Sequence, residues 1–336
     1  MRPQTELNLL SIKNNIPISV TFELTYRCCY YCQHCYIPET HQLKKVKKEL
    51  DIKQVDRILK ELKNNGSIFL VLTGGEPFLR NDLAQICNLA VKYNFETRIF
   101  TSLYPVNEKV LQDIKLTGIK WLEVSFYGRK KTYEFITGIK NSFDRVIENL
   151  KIAKKLGFKI KIKTPLMKVN YKDISWLNKF CQKNNFILNI DPNLTPLNNG
   201  SCDNLKLKAN KIQLLKLFKT EYFKAEKNPD PMININFPVC GAARNVISID
   251  PYGNIYSCLQ LPVKIGNILN QPFKYIWNSD KIKKLREYLN KYPLKCRNCK
   301  YFNSCSRCPG ISYIYSKNID YIYSDACYMA KLNRIH

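Results

Sequence analysis

Between residues 16 and 195 short apolar or β-branched runs alternate with stripes of helical period, and that rhythm restricts the chain to repeated βα units with a mainly parallel sheet. The runs predict six strands, near 18–24, 68–73, 96–101, 120–126, 158–164 and 186–191. Between them Ile52, Val55, Ile58, Leu59 and Leu62 line one helical face, Leu83, Ile86, Cys87 and Ala90 a second, and Phe143, Val146, Ile147, Leu150 and Ala153 a third. Gly66 and Gly157 stop two of these helices. In such a sheet the carboxyl ends of the strands gather ligands. The expected architecture is α/β, a partial (βα)6 TIM-like barrel over residues 16–195, preceded by an extension over 1–15. Residues 196–238 lose the rhythm, with loop composition around Pro196 to Gly200 and a lysine-rich helical stretch from Ala209 to Lys227, and read as a bridge to a small Cys-rich α+β domain over 239–336.

The first predicted strand runs directly into Cys28, Cys32 and Cys35. Three thiolates at this spacing can hold one metal centre and leave a coordination position open, whereas a structural site is closed by a fourth ligand. The second strand ends in Gly74-Gly75-Glu76-Pro77 at the same end of the sheet. Its glycines admit close approach to the backbone, and Glu76 offers a carboxylate for an ammonium group. Of 14 cysteines, only Cys87, Cys181 and Cys202 stand outside two groups, 28–35 and 240–327. Cys87 and Cys181 sit at apolar helical positions and read as small buried hydrophobes. The N-terminus lacks a secretory segment and no run of eighteen apolar residues occurs, so the protein is expected in the cytoplasm, off the membrane, with thiols kept reduced for metals or catalysis.

The CX3CX2C run at Cys28, Cys32 and Cys35 and the GGEP run at residues 74–77 together resemble the radical SAM enzymes. The resemblance implies a [4Fe-4S] cluster on those three cysteines and S-adenosylmethionine on its open iron, cleaved by one electron to a 5'-deoxyadenosyl radical that takes a substrate hydrogen. It also implies that Gly74, Gly75 and Glu76 orient the methionine amino group and that Ser125, near the end of the fourth strand, faces the ribose. Cys29 is set aside because it leaves only two residues before Cys32. His34, between two ligating cysteines, reads as a packing or stacking group rather than a ligand. Lys159, Lys161 and Lys163 alternate with isoleucines on the fifth strand, so they either face the barrel and hold a carboxylate of the cofactor or of an acidic substrate, or form a solvated edge. Lys163, nearest the carboxyl end, is the best placed for the cofactor.

Seven thiols between Cys240 and Cys327 exceed one site. Pro251 to Asn254 is turn chemistry, so a hairpin carries Cys258 back beside Cys240. CX2C followed by CX5CX2C alone would suit a zinc knuckle. The whole array resembles the SPASM extension of radical SAM enzymes, which implies two auxiliary [4Fe-4S] clusters, one on Cys296, Cys299, Cys305 and Cys327 and the other on Cys240, Cys258 and Cys308. Two residues rather than three separate Cys305 from Cys308. The three-cysteine cluster leaves its fourth position to Cys202, a non-cysteine residue, solvent or a substrate atom.

The resemblance favours a radical SAM maturase of a ribosomally made peptide or protein, with an oxidative crosslink, thioether or carbon–carbon, completed with the auxiliary clusters. Alternatives are a sulfatase-type formylglycine maturase, a peptide epimerase and a small-molecule enzyme acting on a tetrapyrrole or an amino sugar. The net charge of +27, from 54 Lys+Arg against 27 Asp+Glu, fits an acidic leader segment. An electron donor such as flavodoxin or ferredoxin is implied. The length leaves little room for a separate leader-binding domain at the N-terminus. A zinc-based nucleic-acid binding module would explain cysteines and charge together but not the strand-end Gly-Gly-Glu-Pro, and a nucleic-acid modifier gives no reason for two auxiliary clusters.

Overall fold

In the computed structural model, which describes residues 3–38, 48–220 and 240–335, strands and helices alternate as the periodicity requires. Strands β1 (Ser19–Glu23), β2 (Phe69–Thr73), β3 (Glu96–Thr101), β4 (Trp121–Ser125), β5 (Lys159–Pro165) and β6 (Ile187–Asp191) are all parallel. Helix α1 (Pro3–Asn14) precedes them. Between them lie α2 (Ile52–Asn64), α3 (Leu83–Lys92), α4 (Glu108–Leu116), α5 (Lys130–Thr137), α6 (Ser142–Lys155) and α7 (Ile174–Asn184).

The helices α2 to α7 bury their apolar stripes in the core against the sheet. Val55, Ile58, Leu59 and Leu62 of α2 are buried, and Asp51 caps that helix through a reciprocal capping box with Gln54. On β5 Ile160 and Ile162 are buried on the helix side, which turns Lys159, Lys161 and Lys163 inward. Cys87 and Cys181 are buried in the core, and burial pushes both thiols up to about 12. Helix α8 (Lys211–Phe218) begins the lysine-rich stretch. The remainder of that predicted helix, 221–227, lies outside the described residues.

The C-terminal hairpin does not build a sheet of its own. β7 (Val246–Ile249) pairs parallel to β1, with Ser19 opposite Val246, and β8 (Asn254–Cys258) and β9 (Leu261–Asn267) follow antiparallel, giving one nine-stranded sheet in the order β6-β5-β4-β3-β2-β1-β7-β8-β9. An open barrel leaves β1 with a free edge, and β7 satisfies its backbone groups. Cys258, at the end of β8, is thereby placed in the same sheet as the strand that delivers Cys28.

The segment after Cys240 is held by two buried arginines. Arg286 donates to the carbonyls of Ala243 (2.6 Å) and Trp277 (3.1 Å), and its guanidinium stacks on Trp277. Arg244 donates to the Arg286 carbonyl (3.0 Å) and to Asn15 (3.0 Å). Arg286→Met keeps the bulk but leaves two buried carbonyls without a donor. It should destabilise the protein by about 2–4 kcal/mol, seen as a lower urea midpoint of the cluster-loaded chain.

Candidate active site

Pairing between the first two strands continues beyond their ends. Leu24 N–H donates to Thr73 O (2.8 Å), Gly75 N–H to Thr25 O (2.7 Å) and Glu76 N–H to Arg27 O (2.8 Å). A Cβ at Gly74, where φ is +136°, would lie 2.1 Å from Thr25 O, and one at Gly75 would lie 2.2 Å from Arg27 O. The two glycines therefore admit the backbone of the cysteine loop itself. This differs from the expectation that they make room for a ligand.

The same ribbon changes the reading of Glu76. Its fully buried carboxylate accepts from Thr101 Oγ1 (2.7 Å), Ser102 N–H (2.7 Å), Ser102 Oγ (2.5 Å) and Phe78 N–H (3.1 Å). Burial raises its pKa against these donors. The carboxylate thus ties the loop to the end of β3.

The cysteine loop is fastened on its far side too. Tyr31 and Gln33 N–H groups donate to Thr137 O (3.0 Å) and Ile136 O (3.1 Å), and Tyr30 and Tyr133 hydroxyls meet at 3.0 Å. Cys28, Cys32 and Cys35 come together, and Cys32 is held up first by burial and then by the two neighbouring sulfurs. A hydrogen bond from Cys29 draws Cys28 below the ordinary thiol range. Tyr127 hydrogen-bonds both Ser125 and Cys32, linking β4 to the loop. His34 packs edge-on against Tyr127 at 4.8 Å, and burial pulls its pKa to about 4, so the ring is neutral.

The lysine row faces the barrel, and β5 lies between β4 and β6 rather than at an edge. Lys163 Nζ is 3.3 Å from Glu123 Oε2 and sits 3.7 Å over the Phe100 ring. Lys161 Nζ and Arg98 Nη1 reach the other oxygen of Glu123 at 3.4 and 3.1 Å. Three cations surround one buried carboxylate, and burial lowers the Lys163 pKa. Lys163 is therefore ion-paired within the protein.

Two sites that the sequence reading did not name are carboxylates. Glu123 anchors the lysine row. Glu23, 3% exposed at the end of β1, is met by the hydroxyls of Tyr26 and Tyr36, each at 3.3 Å. Period-two alternation along β1 and β4 puts both on the inner face, which was the available signal.

Glu23 and Tyr26 line a cavity of about 240 Å³ whose other wall carries Ser248, Tyr256 and Cys258. Cys258 also lines a second cavity, of about 300 Å³, with Cys240 and Cys308. Here a Cβ at Gly310 would lie 2.0 Å from Gln260 O, so glycine after Cys308-Pro309 lets the turn beyond Cys258 come against it. Main-chain N–H groups point at each sulfur: Ala242 at Cys240, Gln260 at Cys258, Gly310 and Ile311 at Cys308. Burial pushes Cys240 up to about 12. A cavity walled by thiols and N–H donors suits an iron–sulfur cluster. The shortened Cys305–Cys308 spacing does not keep Cys308 from it. Cys296 and Cys305 share a second group with Cys299 and Cys327, each raised first by burial and further by its neighbours. Cys202 is exposed and lies outside the three-cysteine cavity. Among the described residues no three His, Cys, Asp or Glu side chains converge on a single-ion position.

Residues 22–181 match the family model for the radical SAM superfamily, and residues 240–309 that for SPASM, an iron–sulfur cluster-binding domain. The chain belongs to the radical SAM superfamily. It is an enzyme of that superfamily, with a C-terminal SPASM region, and uses [4Fe-4S] clusters and S-adenosylmethionine. Among curated proteins it is similar to the AdoMet-dependent heme synthase of Methanosarcina barkeri, 24% identical over 89% of this chain and 93% of that one. It is also similar to the mycofactocin maturase MftC of Mycolicibacterium smegmatis, 25% identical over 86% and 77%. Among solved structures, Streptococcus suis SuiB bound to S-adenosylmethionine superposes with a TM-score of 0.73 at 19% identity, covering 96% of this chain and 80% of that one. Native anSMEcpe with bound AdoMet gives 0.73 at 15%, covering 95% and 97%. No helix among the described residues is long and apolar enough to cross a membrane.

Gly75→Ala should drive a methyl group into the Arg27 carbonyl and dislodge the cysteine loop while the sheet persists. The expected result is loss of about four irons per chain with an unchanged far-ultraviolet circular dichroism spectrum.

Proposed function

We propose that this enzyme is a maturase of a ribosomally made peptide, and that the substrate segment occupies the cavity between Glu23 and Cys258. The observation that carries this reading is the shared wall: Cys258 lines both that cavity and the three-cysteine cavity, while Glu23 on its facing side is met by Tyr36, the residue after Cys35. With Cys28, Cys32 and Cys35 loaded, a four-iron cluster and S-adenosylmethionine supply a 5'-deoxyadenosyl radical. The main chain of Gly74 to Glu76 orients the methionine end, and Ser125 lies toward the ribose. Tyr26 and Tyr36 hold the Glu23 carboxylate at the cavity wall, where it can order a substrate N–H or accept a proton. Cys296, Cys299, Cys305 and Cys327 hold one auxiliary cluster and Cys240, Cys258 and Cys308 the other, giving an electron acceptor for crosslink formation. MftC is named a mycofactocin maturase, and SuiB and anSMEcpe have been solved with a precursor peptide and with peptides; these support a peptide substrate. The net positive charge supports an acidic leader and an acidic electron donor such as flavodoxin or ferredoxin.

A second reading has its own observation. Lys161 and Lys163 share one buried carboxylate, Glu123, with Arg98, which also pairs with Glu96, and these partly exposed lysines suit a substrate bearing carboxylates. A tetrapyrrole is such a substrate, and a heme synthase is among the relatives.

Anaerobically purified protein should be brown and hold on the order of twelve irons per chain. Dithionite and S-adenosylmethionine should yield 5'-deoxyadenosine, and replacing Cys28, Cys32 and Cys35 together by alanine should abolish it. Continued deoxyadenosine formation by that variant would sink the site assignment.

Substrate class is decided by mass spectrometry after co-expression with small peptides encoded nearby. Loss of the mass of a pair of hydrogens from one of them supports the maturase. If instead an iron porphyrin with carboxylate side chains binds, and Lys161→Met/Lys163→Met weakens it roughly tenfold, about 1.4 kcal/mol, the second reading stands.

A further inference from the structure

We infer that the side-chain oxygen of Gln260 is the fourth ligand of the cluster held by Cys240, Cys258 and Cys308. The inference rests on reading that cavity as an auxiliary-cluster site. Three polar side chains other than cysteine line it: Asn8, Asn245 and Gln260. Asn245 is committed elsewhere, with Nδ2 donating to Ser11 Oγ (3.1 Å) and Oδ1 packed so closely on Gly241 that a Cβ there would lie 2.1 Å away. Asn8 reaches the cavity from α1. Gln260 reaches a ligand sulfur: its Oε1 accepts from the Cys308 thiol at 3.6 Å, and loss of that proton on cluster binding leaves the amide oxygen without its donor.

Its orientation is fixed from both ends. Nε2 donates to Thr195 Oγ1 at 3.4 Å, which turns the oxygen toward the thiols. The Gln260 N–H is directed at the Cys258 sulfur, and its carbonyl packs against Gly310, two residues after Cys308. The side chain is thus carried on a main chain locked between two cysteines. Cys202, the remaining thiol that could close the site, is exposed and donates to Gly200 O.

Chemistry gives the substitution a consequence. A neutral amide oxygen in place of a fourth thiolate makes the cluster one unit less negative, which raises its reduction potential, since net charge is among the terms that set it. An amide oxygen is also a harder donor than a thiolate, so it binds the iron more weakly and exchanges with added ligands more readily. The expected cluster is easily reduced and slowly labile at one corner.

The test compares the whole enzyme with Gln260→Ala, Gln260→Cys and Cys240→Ala, purified anaerobically and saturated with S-adenosylmethionine to cover the iron at the first cluster. Each is reduced in steps and read by electron paramagnetic resonance, with and without carbon-13 cyanide. Gln260→Cys should retain about twelve irons per chain and shift one cluster to a lower potential. Gln260→Ala should take up cyanide several-fold more readily than the natural enzyme, with a carbon-13 coupling on the auxiliary signal. Loss of about four irons from Gln260→Ala, restored in Gln260→Cys, supports the assignment equally. Equal cyanide uptake in the natural enzyme and Gln260→Ala, with no change of potential in Gln260→Cys, overturns it. Cys240→Ala separates the two levels: if it keeps its full iron, the cluster reading itself is wrong, whatever Gln260 does.

Discussion

The backbone ribbon between residues 24–27 and 73–76 is the contact on which the rest of the site depends. Strand ends normally splay, and the loops above a parallel sheet then diverge. Here Gly75 and Glu76 N–H groups donate to Thr25 and Arg27 carbonyls, and neither position next to those carbonyls has room for a side chain. The cysteine loop is consequently an extension of the sheet, and its thiols inherit the rigidity of β1 and β2. Glu76 reinforces this by tying the same loop to Thr101 and Ser102 at the end of β3. A buried carboxylate with four donors is costly to dislodge, because each donor would be left without a partner.

The barrel interior is organised by charge above this ribbon. Glu23 lies on the β1 side with two tyrosine hydroxyls, while Glu123 lies across the sheet under Arg98, Lys161 and Lys163. One carboxylate is therefore held by neutral donors and the other by cations, of which Arg98 is shared with Glu96. At reduced effective dielectric such a difference in partners makes the two carboxylates electrostatically unlike.

Much of this was legible in the sequence, and what was not has a physical reason. All six parallel strands lie where the apolar runs put them, because a sheet covered on one face by helices needs an unbroken row of buried residues. The cysteine groups were equally visible, since spacing along a loop limits which sulfurs can meet. The ties of Glu76 were not legible because a motif shows a carboxylate without showing its neighbours; Thr101 and Ser102 arrive from another strand. For Lys163 the sequence left the barrel interior and a solvated edge both open, and its partner Glu123 was overlooked, as cross-strand pairing sets register and a single strand does not. The hairpin's attachment to β1 was likewise hidden, because nothing within residues 246–258 states which edge it will meet.

That attachment explains why one sheet can serve both ends of a reaction. Because β7 pairs with β1, the loop that carries Cys28 and the strand that ends in Cys258 are fixed by a single hydrogen-bonded lattice. A hinged second domain would let the separation of the two cysteine groups fluctuate, and electron transfer falls steeply when redox centres move apart. Here the hairpin cannot rotate without breaking the Ser19 to Phe22 pairing with Val246 to Ile249. Gly310 completes the frame by bringing Cys308 against the turn that follows β8. The fold thus converts distance between two clusters, which sequence separation leaves undetermined, into a property of strand order.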